Sequence, residues 1–133
     1  MNEENELLKS ILHTAQQVPS FDEEQEYDLD FSEESIGRLD ELIDDFWGEG
    51  GPSKDNFDTM VLVFGCYIAA VVENNFKGHW YKEESGEVNF EPEISEIAFN
   101  PFNWVAKKFE LKDSLEAKYE FVTNMMKVDR KGQ

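Results

Sequence analysis

Apolar residues recur at intervals of three and four near the start of the chain, which is the spacing of an amphipathic helix. The pattern predicts a first helix over residues 3–18, which Pro19 and Ser20 end. An acidic segment, residues 20–31, follows without helical periodicity. Carboxylates recur in it at every second position, as at the start of a calcium loop. Such a loop also needs a glycine, which this segment lacks. We interpret it as an acidic linker whose aromatic side chains pack on the core: Phe21, Tyr27 and Phe31.

The next stretch carries the clearest helix signals in the chain. Ser32 suits the N-cap, and Phe31 and Ile36 occupy the two positions of a hydrophobic staple. The apolar stripe that follows consists of Ile36, Leu39, Leu42, Ile43, Phe46 and Trp47. The other side carries Arg38, Asp40, Glu41, Asp44 and Asp45. Glycines at positions 48, 50 and 51 end this helix, so the pattern predicts an amphipathic element with one acidic face.

A long uncharged run occupies the middle of the chain. From Met60 to Val72 apolar residues cover nearly the whole circumference of a helix, which predicts an element buried at the centre of its domain. Ser53 or Asp55 suits the N-cap of this helix. Gly65 and Ala69 share one face, so we expect a neighbouring helix or sheet to approach the helix closely there.

The pattern changes from helical to alternating after Gly78, which is typical of β-strands. Residues 79–82 and 87–90 are predicted to form a hairpin around a turn at residues 83–86, where Ser85 and Gly86 give the turn signal. Residues 94–99 also alternate and are a candidate third strand. We expect this small sheet to pack on the central helix.

Two further helices are predicted at the end of the chain. Asn100 as N-cap and Pro101 at the first helical position mark the start of one. Asp113 or Ser114 caps the last, whose apolar stripe consists of Leu115, Tyr119, Val122 and Met126. Residues 128–133 form a polar, basic tail that is expected to fray.

These elements together predict an α+β fold with four or five helices and a small antiparallel sheet of two or three strands on a buried central helix. The 133 residues suit a single domain with one core. Residues 1–31 supply the amino-terminal helix and the acidic linker, and residues 32–133 supply the core.

The charge of the chain is strongly negative and unevenly distributed. The formal net charge is −18, and residues 1–58 hold 18 acidic and 3 basic residues. Such a surface repels nucleic-acid phosphates and anionic lipids, so we expect neither nucleic-acid nor membrane binding. A basic protein remains a suitable partner.

Cys66, the only cysteine, cannot form an internal disulfide, which points to a reducing compartment. The amino terminus lacks the features of a signal peptide, and the longest apolar run, of about 13 residues, is shorter than the ~20 that span a bilayer. We therefore expect a cytoplasmic protein in which Cys66 is a small core residue.

Part of the sequence resembles small uncharacterised bacterial domains. In these a Gly-x-Tyr helix runs into Gly-x-Trp, and an Asn-Pro-Phe helix start follows. The matching residues are Gly65, Tyr67, Gly78, Trp80, Asn100, Pro101, Phe102, Val105 and Lys108. They cover the middle and last thirds of the chain and leave the acidic first third unmatched. The resemblance implies a fold and no activity, and it assigns no functional residue.

The chain lacks the common catalytic and nucleotide-binding motifs, so we expect no catalytic residue and no cofactor. Asp40 with Asp44 and Glu41 with Asp45 stand one helical turn apart, where carboxylates either hold a divalent cation or form a solvated face. The aromatic residues His79, Trp80 and Trp104 either line a pocket or pack at the edge of the core. Lys107 and Lys108 complement the dipole at the end of their helix.

Two functions fit these observations. The first is a non-enzymatic, immunity- or inhibitor-like module, monomeric or homodimeric, that binds a basic protein through an acidic helix. Its candidate binding residues are Asp40, Glu41, Asp44 and Asp45. The alternative is a protein or enzyme that binds a metal ion or a small molecule through its carboxylates. A third possibility is a domain that mainly mediates self-association, through an apolar face left by the central or the last helix.

Overall fold

The computed structural model describes residues 3–22, 26–47, 51–93 and 98–131. Within these ranges the chain forms five α-helices and one antiparallel pair of strands. The helices are α1 (Glu3–Ala15), α2 (Ser35–Trp47), α3 (Phe57–Asn75), α4 (Pro101–Leu111) and α5 (Leu115–Lys131). The strands are β1 (Gly78–Lys82) and β2 (Val88–Pro92), and a 3₁₀ helix (Val18–Phe21) follows α1. The α+β prediction is confirmed.

The central helix α3 is the core of the molecule, as predicted. Every residue from Val63 to Val72 is buried, and α1 and α4 pack along it. A Cβ added to Gly65 would lie 2.9 Å from two carbons of the Phe102 ring and nearer still to a third. The missing side chain at Gly65 therefore lets α4 approach α3, which confirms the expected close approach.

The predicted N-caps of α3, Ser53 and Asp55, are wrong. The helix begins at Phe57, and Asn56 occupies the cap position without a capping side-chain hydrogen bond. The reason is a preceding turn, in which the Asn56 backbone N–H donates to the Ser53 carbonyl oxygen at 3.0 Å and the Asn56 amide donates to Ser53 Oγ at 3.1 Å.

Among the described residues, α3 is the one helix long and apolar enough to cross a membrane by those two criteria. It has 19 residues, and its most apolar 18-residue stretch has a mean hydropathy of 1.4. Of that stretch, 56% is buried inside the protein. The sequence interpretation counted only the uncharged run of about 13 residues. A core helix passes the same test of length and composition.

The hairpin follows α3 directly and places Trp80 and Phe90 inward. Trp80 pairs with Phe90 in the antiparallel register, and both side chains are buried. The candidate third strand falls mostly on residues 94–97, outside the described ranges. At its end Phe99 forms a single bridge with Phe90, because each backbone N–H donates to the carbonyl oxygen of the other, at 3.1 and 2.8 Å.

Several predicted helix boundaries shift by a few residues. The first helix ends at Ala15, and Pro19 belongs to the 3₁₀ helix that follows. Ser32 Oγ accepts the Ser35 N–H at 3.3 Å, but the turn between them is not α-helical. The start at Asn100 is confirmed, since its side chain accepts two backbone N–H groups of α4. The backbone of the predicted tail is helical to Lys131, and residues 132–133 of the tail lie outside the described ranges.

The acidic linker is tied to the core by its own polar groups. The buried carboxylate of Asp22 accepts three backbone N–H groups, from residues 26, 27 and 28, at 2.7–3.0 Å. Phe31 adopts a φ of 65°, donates its N–H to the Tyr67 hydroxyl at 2.9 Å and stacks on that ring at 4.6 Å. As predicted, the linker aromatics pack against the core.

Candidate functional site

Asp40 holds helices together from a position facing the interior of the molecule. Its side chain is 13% exposed, and its carboxylate accepts the backbone N–H groups of Leu115 and Glu116, both at 2.9 Å. Ser114 Oγ donates to it at 3.2 Å and also accepts the Ala117 N–H at 3.1 Å. The start of α5 is therefore capped twice, by the predicted Ser114 and by an aspartate of α2 that sequence reasoning did not connect with it.

Lys108 is a buried cation that joins α4 to α2. Its side chain is 7% exposed, and Nζ lies 2.8 Å from Asp44 Oδ1 and 3.4 Å from Asp40 Oδ1. The two carboxylates, one helical turn apart, thus converge on an ammonium group of the protein itself. We predicted that Lys108 complements the α4 dipole, and the structure adds this pair of ionic contacts.

The other two acids of α2 lie at its surface. Asp45 accepts a hydrogen bond from the Tyr27 hydroxyl, which raises the pKa of Tyr27 to about 12. Glu41 is exposed, and its side chain makes no hydrogen bond or ion pair with another residue of the described ranges. Of the four candidate binding residues, Glu41 is therefore fully available, Asp44 and Asp45 are exposed but engaged, and Asp40 is largely internal.

A cleft that sequence reasoning missed lies between the start of α2, with the turn before it, and the side of α5 that carries Tyr119 and Thr123. We call it the acidic cleft, and its volume is about 420 Å³. It is lined by Glu33, Glu34, Ile36, Glu116, Tyr119, Glu120, Thr123 and Asn124. Glu33 and Glu34 lie in the turn that precedes α2, and Glu116 and Glu120 stand one helical turn apart on α5. The sequence pattern did not show that α2 and α5 lie side by side.

Two buried hydroxyl groups form part of the cleft wall. Tyr119 is 5% exposed and donates to Glu33 Oε2 at 2.5 Å. Burial, followed by the hydrogen bond to Glu33, raises the pKa of Tyr119 well above its usual value. Thr123, also 5% exposed, donates to the Glu120 carbonyl oxygen at 3.3 Å. Both hydroxyls therefore use their donors within the protein.

Gly37 brings a carboxylate of α5 against α2 beside this cleft. A Cβ at Gly37 would lie 2.9 Å from the carboxylate carbon of Glu116 and nearer still to one of its oxygens. No larger residue fits at this position without moving Glu116. Since this carboxylate ends a flexible, exposed side chain, it can move aside at little cost.

The three candidate pocket residues, His79, Trp80 and Trp104, do not line one common pocket in the described structure. His79 is half-exposed, with Nε2 3.4 Å from Glu91 Oε1. Trp80 is 1% exposed and donates its ring N–H to Glu73 Oε1 at 3.1 Å. Trp104 is 7% exposed and stacks on Phe99 at 5.4 Å. The two tryptophans belong to the core cluster, whereas His79 faces outward.

Cys66 lies inside the core, as expected. It is 2% exposed, and burial raises the pKa of its thiol to about 12. A thiol in this state is protonated at neutral pH and is a poor nucleophile. The packing role predicted for it fits this position.

Carboxylates are numerous, but the described ones are not arranged to bind a metal ion. Within the described residues, no group of three or more His, Cys, Asp or Glu side chains is placed to hold a metal ion. The i,i+4 pair Asp40 and Asp44, a candidate for cation binding, meets Lys108 instead.

Comparison with known proteins gives no relative: no family model, curated protein or solved structure matches the chain. We therefore infer function from the charge and geometry of the side chains described above.

Proposed function

We propose that this protein is a non-enzymatic interaction module of the cytoplasm that binds a basic protein partner, in the manner of an inhibitor or immunity protein. The binding surface is the exposed acidic side of α2 together with the acidic cleft. One observation carries the proposal: five glutamates of this surface make no ion pair with any described cation of the protein. They are Glu33, Glu34, Glu41, Glu116 and Glu120.

The contrast with the interior of the same region supports this proposal. Lys108 neutralises the acids that hold α2 to α4, and Arg38 pairs with Asp30 of the linker at 3.3 Å. These acids of α2 and the linker each have a cation partner, whereas the five outer glutamates pair with no cation among the described side chains. Uncompensated charge of one sign steers an oppositely charged partner and accelerates its association.

The test is capture of partners by the full chain from extract of its source cells, with two matched variants. Glu41→Gln/Asp45→Asn neutralises the exposed side of α2, and an asparagine at position 45 can still accept the Tyr27 hydrogen bond. Glu83→Gln/Glu87→Gln removes two charges from the exposed hairpin turn and is the control.

We expect the wild-type chain and the hairpin variant to retain a basic protein that the α2 variant loses, and purified components to reproduce this difference. The complex should weaken steeply as salt is raised, because the contacts are between exposed charges. Absence of any salt-sensitive partner, or equal loss in both variants, would contradict the proposal.

A further inference from the structure

We infer that three aromatic residues, at the end of α2 and in the 3₁₀ helix, bind an apolar side chain of the basic partner that has cationic residues beside it. We call this surface the aromatic patch, and it consists of Phe21, Phe46 and Trp47. The inference rests on the proposed interaction function and gives it a specific anchor. Three observations support it: the exposure of Phe46, its contacts with the other two rings and the acidic residues next to them.

Phe46 belongs to the apolar stripe of α2, but the core does not cover it. Four earlier residues of the stripe are at most 3% exposed: Ile36, Leu39, Leu42 and Ile43. Phe46, which lies on the same face of the helix, is 56% exposed. Because a phenylalanine ring in contact with water is unfavourable, an apolar group that covers this ring gains hydrophobic free energy.

The exposed ring is part of a continuous aromatic surface. The centroid of the Phe46 ring lies 4.8 Å from that of Trp47 and 6.0 Å from that of Phe21, and both neighbours are partly exposed. Phe21 and Trp47 in turn contact the buried ring of Phe64, at 5.4 and 5.7 Å. The core therefore holds the patch in position from behind. Rings that are ordered before binding lose little conformational entropy when a partner covers them, which suits them as anchors of an interface.

Carboxylates lie directly beside the patch. Asp45 precedes Phe46 in the chain, and Asp22 follows Phe21. The Tyr27 hydroxyl donates a hydrogen bond to Asp45, which raises the pKa of Tyr27 to about 12, and desolvation and the charges of Asp45 and Asp22 act in the same direction. Both aspartates are therefore close to one hydroxyl group. Neither forms an ion pair with a described lysine or arginine.

These charges decide what covers the aromatic patch. A second copy of the chain carries the same net charge of −18 and is repelled, and an anionic membrane surface is repelled for the same reason. An apolar side chain with arginine or lysine beside it matches both features, because it covers the rings while its neighbours pair with Asp45 and with Glu41 one helical turn earlier. We therefore assign the patch to an amphipathic, basic segment of the partner protein.

The experiment compares two fluorescein-labelled peptides for binding to the full chain by fluorescence anisotropy at low salt. One is an amphipathic helix of leucine and arginine, roughly 14 residues or four helical turns long, with fewer arginines than the second. The second is nona-arginine, which has no apolar side chain. We expect the amphipathic peptide to bind at least about tenfold more tightly, although nona-arginine carries more positive charge.

Matched variants locate the apolar contact. Phe46→Gln removes the exposed ring of the patch, and the control Phe121→Gln removes a ring of α5 that is 65% exposed. We expect Phe46→Gln to bind the amphipathic peptide at least about tenfold more weakly than wild type, and the control within about twofold. Phe46→Leu keeps an apolar side chain and should bind within about threefold of wild type. Thermal unfolding shows that each variant is folded before affinities are compared, and a folded Phe46→Leu that binds as weakly as Phe46→Gln would contradict the apolar contact.

The outcomes separate the aromatic patch from the broader proposal. Equal affinities of Phe46→Gln and Phe121→Gln for the amphipathic peptide overturn the aromatic anchor, and so does nona-arginine that binds as tightly as that peptide. The proposed function then still stands if Glu41→Gln/Asp45→Asn weakens binding. A wild-type dimer in light scattering that Phe46→Gln converts to a monomer assigns the patch to a second copy and also overturns the inference. No binding of either peptide by the wild-type chain contradicts the proposed function itself.

Discussion

At the scale of single residues, Gly65 decides how closely two helices pack. The Phe102 ring of α4 lies where a Cβ at position 65 would stand. Alanine is the better helix former by about 1 kcal/mol, so propensity alone favours a Gly65→Ala substitution. Steric conflict with this ring, which is partly buried and packs against the core, opposes the substitution.

We predict that the conflict wins. Gly65→Ala should lower the free energy of unfolding by about 1–3 kcal/mol, the usual cost of overpacking a core. Urea denaturation measures this change. Phe102→Leu in the same background should recover part of the loss, because it removes ring atoms from the contact. A variant as stable as wild type would show that the two helices can move apart freely.

Cys66 provides a residue-scale probe of the core. Since burial raises the pKa of this thiol to about 12, hardly any thiolate exists at pH 8, and the side chain is 2% exposed. We predict that a disulfide reagent modifies Cys66 at the rate at which the protein opens, and modifies the urea-unfolded chain rapidly. Fast labelling of the folded protein at pH 8 would contradict this position in the core.

Tyr27 links the acidic linker to α2 in a pH-dependent way. Its pKa is raised from 10.0 to about 12, first by the hydrogen bond to Asp45. A raised pKa in the folded state means that the stabilisation is complete below pH 10 and is lost as pH rises from 10 to 12.

Wild type should therefore lose thermal stability between pH 9 and pH 11.5, and Tyr27→Phe should lose less over the same pH range. Thermal unfolding at the two pH values measures it, and Tyr81→Phe on the hairpin is the control. Identical pH dependence in wild type and Tyr27→Phe would show that the hydrogen bond to Asp45 does not contribute.

At the scale of elements, the junction of α2, α4 and α5 depends on one carboxylate. Asp40→Ala would leave two N–H groups of α5 without their acceptor and would leave the buried Lys108 with Asp44 alone. We predict a loss of about 2–4 kcal/mol in the free energy of unfolding, since both a cap and a partly buried ion pair are broken. Glu41→Ala, the adjacent exposed position, should change stability by less than about 0.5 kcal/mol.

Chemical denaturation of the two alanine variants checks this prediction. If Asp40→Ala and Glu41→Ala proved equally mild, Asp40 would be a surface residue. The account of α2 as a helix with one internal and several external acids would then be wrong.

The sequence was informative where local chemistry decides structure. The Asn100-Pro101 start, the stripe of α5 and the buried run of α3 all depend on signals within one element, and they were confirmed. The cap of α3 was predicted wrongly because a turn of the preceding residues uses Ser53.

The candidate site was less predictable because its contacts join distant parts of the chain. Asp40 and Asp45 look alike in sequence, yet one caps a helix 75 residues later and the other bonds the linker. The acidic cleft requires α2 and α5 to lie side by side, and no pattern within either helix specifies that arrangement.

At the scale of the whole molecule, some acidic residues form ion pairs within the protein and others stay unpaired at the described surface. The net charge of −18 makes the surface repulsive to a second copy of the chain and attractive to cations. Arg38 pairs with Asp30, and Lys108 pairs with Asp40 and Asp44. The glutamates that remain on the outer side of α2 and along α5 are those we assign to a partner.

The most direct test of this assignment is a backbone-amide NMR titration of the ¹⁵N-labelled protein with nona-arginine at 20 mM and 300 mM salt. We predict saturable shifts at low salt that concentrate on the exposed side of α2 and around Glu116 and Glu120, and that largely vanish at high salt. Shifts of equal size on the acidic hairpin turn at residues 83–87, or no saturable shift at all, would contradict the account.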